Sequence, residues 1–270
     1  MKKSSMTKYM ENKGIKNTAY CMDVNEFLNS QKGEIFDLVI ADPPYNQKIA
    51  HWDNFSDQKS YFSFIDSWLE DVVKKIKKDG SIYLFNNPFN SAIIFQKLID
   101  MGLIFQNWII WYKKDGFKPS KRKFVSNQEV ILFFTKSNNY IFNYDDIRTP
   151  YLSTDRMKHA AKVGILKNGK RWFPNTNGKL CNDVWEISSE RHKQKVNGKV
   201  IKLEHPTTKP YKLIERIIKA SSNKGDLVMD LFSGSGMTSI VAKDLLRNSI
   251  ACDSNEKYVQ NLINKLSIIK

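Results

Sequence analysis

The sequence predicts an α/β fold built on a mainly parallel sheet, and three observations carry that prediction. Short apolar runs alternate with stretches of helical period. One apolar run stops at a double proline, and another runs into a glycine-rich turn. The alternation breaks once, in a long basic stretch, and then resumes.

In chain order, a short extended segment over 18–22 precedes a helical stretch near 25–30. Residues 36–41 form a short apolar run, broken only by Asp37, of the kind buried on both faces of a sheet, and Asp42-Pro-Pro-Tyr45 stops it. Over 59–77, Phe62, Ile65, Leu69, Val72, Val73 and Ile76 share one helical face. Gly80 is expected to end that helix, with the next strand over 81–85. A helix near 91–101 and strands over 108–111 and 129–134 follow. From about 115 to 202 no steady period survives except at 129–134. The pattern then returns as a helix over 211–220, a strand over 226–230, a glycine-rich turn opening a helix over 238–246, a strand over 249–253 and a helix over 257–266.

A chain of 270 residues with 41% hydrophobic residues can bury one large core, either as one domain or as one domain with an insertion. No run approaches the roughly 18 apolar residues that span a bilayer, and the first residues are basic and polar. A cytoplasmic protein without a membrane partner is expected. Cys21, Cys181 and Cys252 lie far apart with no CxxC pair, so neither a disulfide framework nor a metal site is expected. Of the net charge of +15, residues 113–202 hold 20 Lys plus Arg against 8 Asp plus Glu, a balance of +12. Charge so concentrated points to a polyanionic partner.

Two motifs carry chemistry. A strand ending in Asp230 leads into Phe232-Ser-Gly-Ser-Gly236, which opens a helix and brings free backbone N–H groups to a ligand. Asp253, ending the next strand, can accept from ribose hydroxyls. A nucleoside-containing cofactor suits this pair. Ser239 stands where a dinucleotide fingerprint has its third glycine, which weakens a nicotinamide reading. The second motif, Asp42-Pro43-Pro44-Tyr45, sets a carboxylate and proline carbonyls beside an aromatic ring at a strand end. An exocyclic amine on a flat base offers two donors and a stacking face, so the groups match. A thiolate route to carbon-5 of cytosine has no Pro-Cys pair to use.

Asp42-Pro-Pro-Tyr45 ahead of Phe232-x-Gly-x-Gly236, a basic stretch between them, and His205-Pro-Thr-Thr-Lys-Pro210 resemble the β-class amino-methyltransferases of DNA. Phe105-Gln-Asn-Trp108, Gly169-Lys-Arg-Trp-Phe-Pro174 and Ser189-x-Arg-His-Lys193 resemble the MboII-type adenine-N6 branch of that class. The resemblance implies a Rossmann-like, S-adenosyl-L-methionine-dependent fold with permuted motif order, in which the 226–230 and 36–41 strands are neighbours. It implies a catalytic domain over 1–115 and 203–270 and a target-recognition insert over 116–202 that includes the strand near 129–134.

The site residues it implies are catalytic Asp42, Pro43, Pro44 and Tyr45, and a cofactor set. Asp23 and Val24 are assigned to the adenine of the cofactor, and Asp253 and Asn255 to its ribose. Phe232, Ser233, Gly234, Ser235, Gly236 and Thr238 are assigned to the methionine part, with Asn46, Thr207, Lys209 and Pro210 around it. Within the insert, Lys121, Arg122, Lys123, Lys170, Arg171, Arg191 and Lys193 are expected to contact double-stranded DNA. Trp172, Phe173 and Trp185 are expected to form its small core.

The activity so implied is adenine-N6 methylation of a flipped base in a restriction-modification setting. It includes a short purine-rich target of GAAGA type, a cognate restriction endonuclease and a homodimer. Cytosine-N4 methylation, RNA methylation, a nicotinamide oxidoreductase and a non-catalytic DNA-binding protein are the other readings. The last two leave either the Asp42–Tyr45 motif or the intact motif set without a purpose.

Overall fold

The computed structural model describes residues 6–12, 14–114, 120–190, 193–196, 199–202 and 208–268. In chain order the strands are β1 (Met6–Asn12), β2 (Ile15–Cys21), β3 (Phe36–Ala41), β4 (Ile76–Asn86), β5 (Ile104–Tyr112), β6 (Gln128–Thr135), β7 (Ile165–Lys167), β8 (Lys170–Trp172), β9 (Val184–Glu186), β10 (Lys193–Val196), β11 (Lys199–Lys202), β12 (Leu227–Asp230) and β13 (Asn248–Asp253). The helices are α1 (Val24–Ser30), α2 (Gln58–Lys75), α3 (Pro88–Asp100), α4 (Thr154–Val163), α5 (Tyr211–Ser221), α6 (Met237–Asp244) and α7 (Glu256–Ile268).

Nine strands form one sheet in the order β1-β2-β13-β12-β3-β4-β6-β5-β9. The pairs from β2 to β4 are parallel, β6 runs antiparallel to both β4 and β5, and β1 runs antiparallel to β2. The expected adjacency is present: β12 lies parallel to β3, with Asp230 opposite Ile40. From this pair the chain leaves in opposite directions. β12 continues through α6 to β13 on one side, and β3 continues through α2 to β4 on the other. Their shared carboxyl edge is therefore a topological switch point, where a crevice opens in α/β sheets.

Both sheet faces are covered, which is why β3 and β12 are mostly apolar, with Asp37 and Asp230 as their acidic residues. Phe27, Tyr61, Trp68 and Leu69 pack one face with Val39 and Met229. Ile214, Ile217 and Val241 pack the other with Leu38, Ile40 and Val228.

Four features differ from the sequence expectation. The N-terminal residues make an edge strand, β1, whose polar pattern carried no strand signal. Gly80 lies inside β4, which already begins at Ile76. A Cβ there would sit 2.7 Å from Ile76 Cγ2 and 2.9 Å from the Phe36 carbonyl, so glycine allows the close approach at the irregular start of the β3–β4 pairing. The stretch expected to be irregular holds α4 and short strands, and one of them, β9, joins the main sheet beside β5. Trp185 on β9 is consequently buried in the main core, while Trp172 and Phe173, expected inside the insert, stand 45% and 53% exposed. No described helix is long and apolar enough to cross a membrane.

Candidate active site

A cleft of about 330 Å³ opens at this carboxyl edge. Asp42 to Tyr45 form one wall, and Leu231, Phe232, Gly234 and Cys252 to Asn255 form the other. Met22, Asp23 and Val24, where β2 gives way to α1, close the far end.

The Asp42 carboxylate sits in a dense polar cluster. Lys209 Nζ donates to its Oδ2 at 2.6 Å, and the Tyr45 hydroxyl donates to its Oδ1 at 2.7 Å. Glu129, at the start of β6, joins the same cluster: its Oε2 lies 3.1 Å from the Tyr45 hydroxyl and 3.5 Å from Lys209 Nζ. Lys113 Nζ donates to the other Glu129 oxygen at 2.8 Å. Two carboxylates thus face two ammonium groups, which is how buried charge is tolerated.

Burial pushes the Asp42 carboxyl up from its usual range, with Lys209 pulling against that and Glu129 adding to it. For Glu129 burial also works upward, but Lys209 and Lys113 outweigh it and hold the group below its usual range. Burial would lower the Lys209 ammonium, yet Asp42 and Glu129 carry it above the usual lysine value. Burial and the two carboxylates raise the Tyr45 phenol well above its ordinary range. Of the two carboxylates, Asp42 is thus the one shifted upward and Glu129 the one shifted downward.

The glycine-rich turn is built as the motif requires. Gly236 caps α6 in a left-handed conformation at φ 77°, and a Cβ there would collide with Leu262. Asp253 binds the turn by accepting from Gly234 N at 2.7 Å and from Asn255 N at 2.8 Å. Its carboxylate lies on the cleft wall with further lone pairs for hydroxyl donors. Ser233 Oγ is buried with no partner among the described residues, and Ser233, Ser235 and Thr238 line a small recess that adjoins Asp42 and Lys209. Asp230, also in this recess, is pushed up to about 7 by burial, with Thr238 working against the shift. At the far end Asp23 caps α1 through Asn25 N at 2.8 Å and exposes its carboxylate to the cleft. A buried hydroxyl without a partner among the described residues and the carboxylates of Asp253 and Asp23 on the cleft lining fit a nucleoside that carries a polar amino-acid tail.

Most of the site residues expected from the sequence converge here. Lys209 reaches the Asp42 carboxylate itself as well as the recess. Asn46 turns its side chain away to accept from Phe55 N at 3.1 Å, and Pro210 caps α5. Thr207 and Arg191 fall outside the described residues, and of Lys193 only its place on β10 is described. Lys121, Arg122, Lys123, Lys170 and Arg171 are all exposed, and Arg171 donates to the Val163 carbonyl.

Sequence reasoning missed Glu129, Asp53 and the aromatic lining made by Trp52, Phe55, Phe64 and Tyr258. Trp52 and Asp53 follow the proline motif closely, and a Trp-Asp pair in an otherwise irregular loop was the available signal.

A family model described as N6_N4_Mtase, DNA methylase, matches residues 36–265. Type II methyltransferase M1.MboII of Moraxella bovis is 54% identical over 255 residues, which cover 93% of this chain and 98% of that protein. Among solved structures, the PvuII cytosine-N4-specific DNA methyltransferase superposes with a TM-score of 0.68 at 20% identity, covering 92% of this chain and 85% of that one. The M1.HpyAVI complex with SAM superposes with a TM-score of 0.60 at 23% identity, covering 92% and 99%. A glycine-rich turn and a proline-bound carboxylate meeting at one switch point, in a chain so matched, make this protein a member of the N6_N4_Mtase family of DNA methylases and an S-adenosylmethionine-dependent DNA amino-methyltransferase.

Proposed function

We propose that the chain methylates the exocyclic N6 of an adenine flipped out of double-stranded DNA, and that Asp42 to Tyr45 carry the amine chemistry. The supporting observation is the Asp42 carboxylate, held by Lys209 and the Tyr45 hydroxyl, on the lining of the same cleft as the glycine-rich turn. Bound against Asp23, Val24, Phe232 to Gly234 and Asp253, S-adenosylmethionine supplies an activated methyl group.

The adenine amine is a weak nucleophile because its lone pair is delocalised into the ring. Asp42 and the Pro43 carbonyl accept its two N–H groups, which favours a tetrahedral nitrogen whose lone pair bonds to the sulfonium methyl as the carbon–sulfur bond breaks, the sulfur leaving as a neutral thioether. Positioning supplies much of the remaining barrier reduction. Asp42 then takes the departing amine proton, a task suited to a carboxylate raised by burial. Lys209 and the Tyr45 hydroxyl hold the carboxylate in place. The Tyr45 ring provides a stacking face that offsets part of the unstacking cost of a few kcal/mol.

Adenine is favoured over cytosine by the 54% identity to M1.MboII and, by resemblance alone, by Asp rather than Ser ahead of Pro-Pro-Tyr. A GAAGA-type target, a cognate endonuclease and a homodimer belong to the same reading, supported by the Type II designation of that relative and by resemblance. So does a cytoplasmic enzyme working on the nucleoid. Duplexes whose adenines are all replaced by purine, which lacks the amine, are expected to accept no labelled methyl. Undiminished transfer to them would favour the cytosine-N4 reading.

Asp253→Ala is expected to weaken S-adenosylmethionine binding by about 1.5–3 kcal/mol in calorimetry, the worth of charge-assisted hydrogen bonds, with little change in DNA affinity. Unchanged cofactor affinity in a folded variant would send the ribose elsewhere.

The DNA reading rests on the basic charge of residues 116–202, of which Lys121, Arg122, Lys123, Lys170 and Arg171 are exposed. Neutralising Arg122 with Lys123 is expected to lower the salt slope of log affinity by about 0.9 for each phosphate that the variant no longer neutralises. Losing a base-reading Arg, for which Arg171 and Arg191 are the candidates, relaxes specificity at one position by about 1–3 kcal/mol. Fluorescence anisotropy on cognate and scrambled duplexes at several salt concentrations separates the two. Wild-type affinity and slope in every variant would remove this stretch from the DNA surface.

A further inference from the structure

We propose that Asp53 is the positioning residue that holds the loop after Asp42 with no main-chain donor free to face the target amine; the inference rests on the assignment of Asp42 to that amine. Asp53 ends a short 3-10 turn, His51–Asp53, and is wholly buried at 0% exposure. Its partners are the backbone of the catalytic loop. Oδ1 accepts from Tyr45 N at 2.6 Å and Asn46 N at 2.8 Å, and Oδ2 accepts from Gln47 N at 2.9 Å and Ile49 N at 3.3 Å. Lys48 N donates to the Asp53 carbonyl at 3.0 Å.

Five consecutive N–H groups, Tyr45 to Ile49, therefore end on one residue, and Pro43 and Pro44 have none to offer. From 43 to 49 no main-chain donor is left over. The backbone reaches this shape through two left-handed residues, Asn46 at φ 58° and Lys48 at φ 59°, neither of them glycine. Such turns make successive N–H groups converge as an anion-binding nest. Here the anion is a carboxylate of the chain itself. The Tyr45 carbonyl is drawn the other way, accepting from Asn90 Nδ2 at 2.9 Å and Asn87 Nδ2 at 3.4 Å. Tyr45 is thus pinned at both its N–H and its C=O while its hydroxyl reaches Asp42.

The chemical consequence concerns polarity. An amine presents donors, so a free N–H beside Asp42 would compete for the carboxylate and would favour a base carrying a carbonyl at the reacting position. By collecting every main-chain donor of the loop, Asp53 leaves the Tyr45 hydroxyl and Lys209 as the donors on Asp42, and the remaining Asp42 lone pairs and the proline carbonyls as the acceptors that meet the base.

Asp53→Asn tests this, because it sets one oxygen and one NH2 where two oxygens received four donors. With DNA and cofactor saturating, the single-turnover rate is expected to fall about a hundredfold, the scale of a misplacement of about 1 Å. Cofactor affinity is expected to stay within a few-fold. Adding Lys48→Gly, which takes the left-handed conformation freely, is expected to restore part of the rate, by roughly tenfold. A merely structural role would instead move melting temperature, cofactor affinity and rate together, with no rescue from position 48.

An independent measurement uses the unmodified protein. The amides of Tyr45, Asn46, Gln47 and Ile49 are expected to exchange hydrogen slowly without DNA or cofactor. Rapid exchange there, a wild-type rate in Asp53→Asn, or joint loss of rate and cofactor binding would overturn the inference. If Asp53→Asn does not fold, the exchange result decides. Normal turnover by Asp42→Ala would remove the underlying assignment. An inactive Asp42→Ala beside a fully active Asp53→Asn would remove this inference alone.

Discussion

Replacing Asp42 by alanine is expected to lower the single-turnover rate a hundredfold or more, about 3 kcal/mol, while cofactor affinity stays within a few-fold. The variant removes the acceptor held by Lys209 and Tyr45 but leaves Asp23, the glycine-rich turn and Asp253 in place. Asp42→Asn is expected to fare little better. It keeps one acceptor oxygen but turns a donor towards the amine and cannot take the proton. Rapid quench with labelled S-adenosylmethionine is the measurement, and a near-normal rate in Asp42→Ala would take the residue out of the mechanism.

The second large effect is expected at Lys209, which is 8% exposed and lies between Asp42 and Glu129. Lys209→Met leaves two carboxylates around the Tyr45 hydroxyl with Lys113 as the remaining cation of the cluster. Breaking a buried pair in this way costs about 3–5 kcal/mol of stability.

The variant also shifts the pH profile in a defined direction. The active form of Asp42 is the carboxylate, so activity falls as pH drops through its pKa. Burial already raises that pKa and Lys209 opposes the rise, so without Lys209 the carboxyl moves up further. The acid limb of the rate is therefore expected to move to higher pH, measured under single-turnover conditions with a folded variant. An acid limb that stays in place would separate Lys209 from the titration of Asp42.

Much of the catalytic frame was legible in the sequence because its signals are local. The β3 run stops at two prolines, and β12 leads into a glycine-rich turn; both report burial on two faces and a backbone that must bend. The adjacency of those strands came from resemblance, since periodicity says nothing about which strands pair.

What escaped was set by long-range partners. Glu129 opens a strand whose apolar pattern hides a lone carboxylate, and its meaning comes from Lys113, Lys209 and Tyr45, 16 to 84 positions away. Asp53 sits in a loop with no period, and only the fold reveals that it collects the N–H groups of Tyr45 to Ile49. The three-residue strand β9 is too short for alternation to register, yet it carries Trp185 into the main core. Gly80 read as a helix stop because a glycine inside a strand gives the same signal as one at a helix end.

The identity of the atom that receives the methyl group is the most direct test of adenine-N6 transfer. The enzyme is to be incubated with labelled S-adenosylmethionine and duplex DNA, the DNA digested to nucleosides, and the labelled nucleoside identified by chromatography and mass spectrometry. Label is expected in 6-methyladenine; label in 4-methylcytosine or 5-methylcytosine, or none in DNA, would contradict the proposed reaction.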